Sequence, residues 1–271
     1  DVAAREPGSQ RADPPRYPTP MQQQLRPSGP TLIAAALSEE RAALEALATD
    51  LVSHPLPGLA EGALLIGRID AHPVALLRCG VGKVASVVAV TAALAVEPRC
   101  VISVGSAGAL HAGYRVGDVL LADGVLQHDF AAAEADGFRL FGYGADTPSK
   151  GDPLLVADPE LVTAAFNAAT PTTARLGINL RRGRIATGDW FVADQKVRDA
   201  IAARSSADLV EMEGAAIAYA ARTHGIPWLV IRSVSDSGDG EATLSFWEYL
   251  ALASKNAAEI VRAILPALER R

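Results

Sequence analysis

The chain has 271 residues, 49% of them hydrophobic and 21% charged, with a formal net charge of −6. That length suffices for one large buried core and sets a prior of one or two domains. The acidic balance, without a long Lys/Arg run, argues against nucleic acid or an anionic membrane as the main partner and favours a small molecule.

Aromatic residues make up only 5% of the chain, and the apolar mass is mostly Ala, Val and Leu, the mix that helices packed on a buried parallel sheet require. Cys79 and Cys100 sit at the edges of apolar runs with neither metal-ligand nor redox spacing. They are expected to be reduced core thiols, which suits a cytoplasmic protein with no metal and no cofactor. No apolar run reaches the about 18 residues of a membrane span, and no signal peptide is visible.

Residues 1–30 stand apart, with seven of the 17 prolines among Gln, Arg and Ser. Such a segment buries too little apolar surface to offset its ordering entropy, so a disordered or loosely packed extension is expected. Residues 31–271 are expected to form a single domain. Residues 32–37 predict a short apolar strand. Ser38 is placed to cap a helix over residues 39–51, whose first-turn acids suit the helix dipole. Residues 64–69 and 74–79, joined by Asp70-Ala71-His72-Pro73, predict a hairpin. Gly80-Val81-Gly82-Lys83 opens an apolar helix reaching about residue 96. Residues 100–104 are β-rich and end in Gly105-Ser106-Ala107-Gly108, where glycines suit a tight turn between strand and helix. Residues 116–121 predict another strand, and residues 127–155 give no regular pattern.

Beyond them, residues 159–169 predict a helix, and residues 184–187 a strand ending at Gly188-Asp189-Trp190-Phe191. A helix over 195–204, a strand over 207–210, a helix over 213–223 and a strand over 228–233 follow. A long helix over 244–268, broken near Pro266, closes the chain. Repeated strand–helix units imply an α/β fold: a three-layer sandwich with a central mixed, largely parallel sheet flanked by helices.

In open α/β sheets, ligands bind beyond the carboxyl ends of strands. That rule collects Glu39-Glu40, Gly105-Ser106-Ala107-Gly108, Gly188-Asp189-Trp190-Phe191, Glu211-Met212-Glu213 and Ser235-Asp236 at one expected sheet edge. Acids from several strands, a glycine loop and an aromatic face are what cleavage of a glycosidic bond to a flat heterocycle needs. Each segment alone has a plainer reading: Glu40 and Glu213 as helix-dipole partners, Phe191 as core, Asp236 as a loop cap. Together, Glu213 and Asp236 carry the most information, because a buried carboxylate without a partner resists ionisation.

Over residues 31–268 the chain resembles the 5′-methylthioadenosine/S-adenosylhomocysteine nucleosidases of the purine nucleoside phosphorylase superfamily. The resemblance is carried by Cys79-Gly80-Val81-Gly82-Lys83, Gly105-Ser106-Ala107-Gly108, Thr187-Gly188-Asp189-Trp190-Phe191, Val210-Glu211-Met212-Glu213-Gly214, Arg232-Ser233-Val234-Ser235-Asp236 and Leu244-Ser245-Phe246. It implies a nucleoside phosphorylase-like fold, a homodimer, and hydrolysis of an adenine nucleoside in methionine salvage. It further implies that Asp236, steadied by Ser235, protonates the departing adenine, that Glu213 holds the ribose, and that Glu40 activates water beside Ser106 and Arg232. By the same resemblance Phe191 stacks on the base, the Val192 backbone reads its edge, Met212 packs under the ribose and Phe246 lies near its 5′ side. Val81, Gly108 and Glu211 complete the implied substrate contacts.

A carboxylate about 4 Å from a sugar cation, at an effective dielectric near 20, contributes about 4 kcal/mol. Phosphorolysis instead needs cations or a glycine-rich nest for phosphate. Acids at the end of the first strand oppose that and favour water. A phosphorylase, a futalosine hydrolase and a non-catalytic nucleoside sensor are the alternatives. The resemblance does not extend over residues 127–155, which in the family line the 5′ pocket.

Overall fold

The computed structural model describes residues 29–135, 137–143, 152–236 and 242–269. The expected extension over residues 1–30 lies outside these, apart from Gly29 and Pro30. Those two are packed: Arg99 donates to the Gly29 carbonyl at 2.6 Å and its N–H to Pro30 at 3.1 Å.

The chain opens with β1 (Thr31–Ala35), α1 (Ser38–Glu45), β2 (Ala48–His54), β3 (Leu64–Ile69) and β4 (His72–Arg78). Next come α2 (Lys83–Ala93), β5 (Cys100–Ala109), β6 (Val119–Gln127), a separate hairpin of β7 (Ala131–Glu134) and β8 (Gly137–Leu140), and β9 (Leu155–Val156). The remainder is α3 (Pro159–Leu176), β10 (Leu180–Thr187), α4 (Gln195–Ser205), β11 (Leu209–Glu211), α5 (Gly214–Thr223), β12 (Trp228–Asp236) and α6 (Ala242–Glu269).

The main sheet runs β11-β10-β6-β12-β5-β1-β4-β3-β2. Its centre, β4-β1-β5-β12, is parallel. Antiparallel pairs lie at the β2–β3–β4 side, between β12 and β6, and between β11 and β5. Every residue of β12 is buried, as strands covered on both faces are. Helices α1, α3 and α6 pack together as one layer, and α2 packs with α5 as the other.

The β11–β5 pairing closes β5, β12, β6, β10 and β11 into a ring. It explains why the strand runs on through Gly105-Ser106-Ala107-Gly108, past its expected end at residue 104. The long β5 pairs with β12 as far as Gly108, and with β11 through Gly108 and Ala109. Two partners satisfy its backbone beyond residue 104, where the strand was expected to end.

Four other expectations change. Helix α1 stops at Glu45, six residues short of the expected end, and the chain turns into edge strand β2. A bulge between Thr49 and Val52 holds Asp50 at φ 57°, a left-handed conformation Asp tolerates. Ser38 is the first helical residue and not the cap. Helix α3 continues through Pro171, burying Ala165, Ala169 and Thr173 along one face, and α6 continues unbroken through Pro266, burying Leu265, Ala267 and Leu268. Tertiary burial of these faces outweighs the about 3 kcal/mol that an interior proline costs.

Candidate active site

Helix α5 begins with Glu213 as its N-cap residue, yet Glu213 does not cap it. Glu211 does: its Oε2 accepts the Glu213 N–H at 3.0 Å and the Gly214 N–H at 2.7 Å. Thr187 at the end of β10 accepts the Ala215 N–H at 2.8 Å and donates to Glu211. The orphan donors of the helix start are thereby satisfied, and the Glu213 carboxyl is left for the cavity. Its Oε1 accepts the Gly82 N–H at 2.9 Å, and its Oε2 lies 3.6 Å from Arg232. Burial, and next the charge of Glu211, push the Glu213 carboxyl up to about 8, against the opposing pull of Arg232.

Glu40 stands in the first turn of α1, just past the end of β1. Its Oε2 accepts the N–H groups of Ala36 and Leu37, both at 3.1 Å. Its Oε1 accepts the N–H and the hydroxyl of Ser106, both at 2.9 Å. Four bonds of this kind hold a buried carboxylate firmly. Gly105 makes room for it, since a Cβ there would lie 2.8 Å from Glu40 Oε1. Neighbouring Arg41 is turned away, to the carbonyls of Gly62 and Ala63 and to Glu45 at 2.6 Å.

The third acid closes β12. The β12–β5 register shifts between Val234 and Asp236. Successive residues of a regular strand face opposite sides; here Ser235 and Asp236 both line the cavity. The Ser235 hydroxyl donates to Asp236 Oδ2 at 2.8 Å and lies 3.3 Å from the Ala107 carbonyl. Both side chains are buried.

A cavity of about 460 Å³ joins these groups. Glu40, Ser106, Gly108, Glu211, Glu213 and Asp236 line its polar part. Val81, Phe191, Val192, Met212 and Phe246 line its apolar part. Phe191 and Phe246 meet edge to face at 5.6 Å, and Phe246 meets Trp247 in the same way at 5.1 Å. Edge-to-face packing sets neighbouring rings at nearly a right angle, so that one ring supports the other from its face. Among the described residues lining the cavity there is no arginine or lysine.

The phosphorylase superfamily model matches residues 30–266. A 5′-methylthioadenosine/S-adenosylhomocysteine nucleosidase from Actinobacillus succinogenes is 33% identical over 239 residues, covering 88% of this chain and 98% of that protein. The chain belongs to the 5′-methylthioadenosine/S-adenosylhomocysteine nucleosidase family. A solved nucleosidase of this kind from Colwellia psychrerythraea, in complex with adenine, superposes with a TM-score of 0.78 at 30% identity, covering 89% of this chain and 96% of that one. The futalosine hydrolase of Helicobacter pylori has a TM-score of 0.76 at 26% identity, covering 88% and 97%.

For this member of the nucleosidase family, one expected contact is corrected. Arg232 does not line the cavity. It is fully buried behind the acids, bonded to Glu211 and, through Nη2, to the Ser103 hydroxyl at 3.0 Å. Its guanidinium is engaged by the carboxylates of Glu211 and Glu213. The five expected segments do meet, but not along one parallel edge: β11 reaches the cavity by running against β5. Thr187, which bonds to Glu211, and Trp190, at the cavity mouth, stand in a motif named from the sequence but were given no role there, and Trp247, also at the mouth, was not named. A tryptophan next to each of Phe191 and Phe246 in the chain was a usable signal, whereas the bond from Thr187 to Glu211 depends on strand pairing.

Proposed function

We propose that this protein hydrolyses the N-glycosidic bond of an adenine nucleoside of the 5′-methylthioadenosine, S-adenosylhomocysteine or 5′-deoxyadenosine type. The products are adenine and the free ribose derivative. The observation that carries this reading is that Glu40, Glu213 and Asp236, from three separate elements, line one cavity with Phe191 and Val192.

In this reading the base lies against Phe191, with its edge at the Val192 backbone. Asp236, oriented by Ser235, gives a proton to the imidazole nitrogen of the base as the carbon–nitrogen bond breaks. Water bonds to the anomeric carbon and gives a proton to Glu40. The acid at the leaving group and the base at the water divide the work as in inverting glycosidases. Glu213 faces the sugar over Met212. The ionised form of this carboxyl, disfavoured by burial and by Glu211, gains more from a cationic sugar than from a neutral one. It thereby stabilises the transition state over the substrate.

Water is favoured over phosphate because the cavity lining carries acids and the nearby guanidinium of Arg232 is already engaged by Glu211. A phosphate there would meet like charge without a cation to balance it. We further infer a homodimer. Val84 and Val88 lie four residues apart on α2 and are 76% and 56% exposed, beside the half-exposed Val81 at the cavity. A reducing cytoplasm accords with the two free, buried thiols, and a role in methionine salvage accords with the proposed substrates. Among the described residues no helix is long and apolar enough to cross a membrane.

The test is adenine release from methylthioadenosine, S-adenosylhomocysteine and 5′-deoxyadenosine, with futalosine and inosine as comparators, with and without phosphate. The expected result is phosphate-independent adenine release and a free sugar. A phosphate requirement or a sugar 1-phosphate product overturns hydrolysis, and preference for the 6-oxopurine comparators overturns the adenine assignment.

A further inference from the structure

Two loops without regular structure carry the two halves of the proposed ligand site. The loop before α2 supplies Val81 to the cavity and the Gly82 N–H to Glu213. The loop after β10 supplies Trp190, Phe191 and Val192. Neither loop is held by a strand partner where it meets the cavity, so other groups must fix their separation.

Three charged side chains do so. The Lys83 N–H donates to Asp189 Oδ1 at 2.8 Å, and Lys83 Nζ to Asp129 Oδ1 at 2.6 Å. Asp129 Oδ2 in turn accepts the Asp189 N–H at 2.9 Å, and Lys83 Nζ lies 3.8 Å from Asp189 Oδ2. The cluster is partly shielded: the Lys83 and Asp129 side chains are 18% and 10% exposed, and that of Asp189 is 46% exposed. Gly82, at φ +89°, leaves space for this approach, since a Cβ there would lie 3.0 Å from Asp189 Oδ1. Asp189 also supplies an acceptor to an orphan N–H of the α2 start, where the helix dipole favours a carboxylate.

A continuous bonded path therefore runs from Glu213 through Gly82, Lys83 and Asp189 to Phe191. We propose that Lys83, Asp129 and Asp189 form a clasp of positioning residues that sets the distance between the base-stacking loop and the ribose-side carboxylate. The proposal rests on the adenine nucleosidase reading. None of the three lines the cavity, so each acts on the ligand through another group.

A clasp of this kind matters most to a ligand that spans both loops. In Asp189→Ala and Lys83→Met, kcat/KM for methylthioadenosine should fall by about tenfold or more, as misplacement of bound groups implies. The dissociation constant of free adenine, which occupies one loop only, should rise by less than about threefold. Asp189→Asn, which retains an acceptor for the Lys83 N–H, and Lys83→Arg, which retains the charge, should recover part of the loss. A merely structural role would lower thermal stability and weaken both ligands alike. Equal losses for adenine and nucleoside, or wild-type kinetics in both truncated variants, overturn the clasp while leaving the nucleosidase reading intact. An unaltered protein that releases adenine from none of the nucleosides overturns both.

Discussion

At the scale of single residues, the site separates acids that are anchored from one that is held uncomfortably. Glu40 and Glu211 accept several N–H and hydroxyl bonds each. Glu213 accepts the Gly82 N–H and faces Glu211, and burial raises its carboxyl to about 8. An acid whose folded value lies above its unfolded 4.5 binds more protons in the native state across that window. Its contribution to stability is therefore full below about 4.5 and is lost as the pH rises through about 8. Glu213→Gln cannot ionise, so its melting temperature relative to the unaltered protein should climb between pH 5 and pH 8. His128, held neutral by burial at about 4, is common to both proteins and cancels. A flat difference across calorimetric scans at these pH values would remove the strain assigned to Glu213.

At the scale of elements, β5 is the strand on which the site depends. It bonds to β1, β12 and β11, and carries Gly105, Ser106, Ala107 and Gly108 past Glu40. Gly105→Ala tests this directly. The backbone there is ordinary strand, so the variant should fold, but the methyl group would displace Glu40. We expect kcat to fall by about tenfold or more, with melting within a few degrees of the parent and adenine binding retained. Unchanged turnover would show that the placement of Glu40 against Ser106 is not needed.

At the scale of the whole molecule, the mixed sheet and its closed ring bring distant residues together. Gly108 pairs with Val210 on one side and Asp236 on the other, so residues more than a hundred positions apart share one cavity wall. The exposed valines of α2 lie beside that cavity. Replacing Val84→Glu and Val88→Glu together places charges in the proposed subunit contact. Sedimentation should then show the mass of one chain where the unaltered protein shows two. A single-chain mass for the unaltered protein removes the homodimer.

Local chemistry was enough to mark β1, the β3–β4 hairpin, α5, and Glu40, Glu213 and Asp236 as candidates, because apolar runs, capping patterns and acids at strand ends are written in adjacent residues. It was not enough for the end of α1, the continuation of α3 and α6 through their prolines, or the extended path of Gly105–Gly108. Each of these is settled by a partner remote in sequence: β3 beside β2, the buried helix faces, and β11 beside β5. The same holds for Arg232, which the resemblance placed beside the reacting water until the fold set Glu211 against it. Residue order alone named the groups available for the chemistry. Which of them face the cavity and which hold the others in place was set by the fold, because side-chain direction depends on strand pairing, bulges and charge neutralisation across the closed sheet.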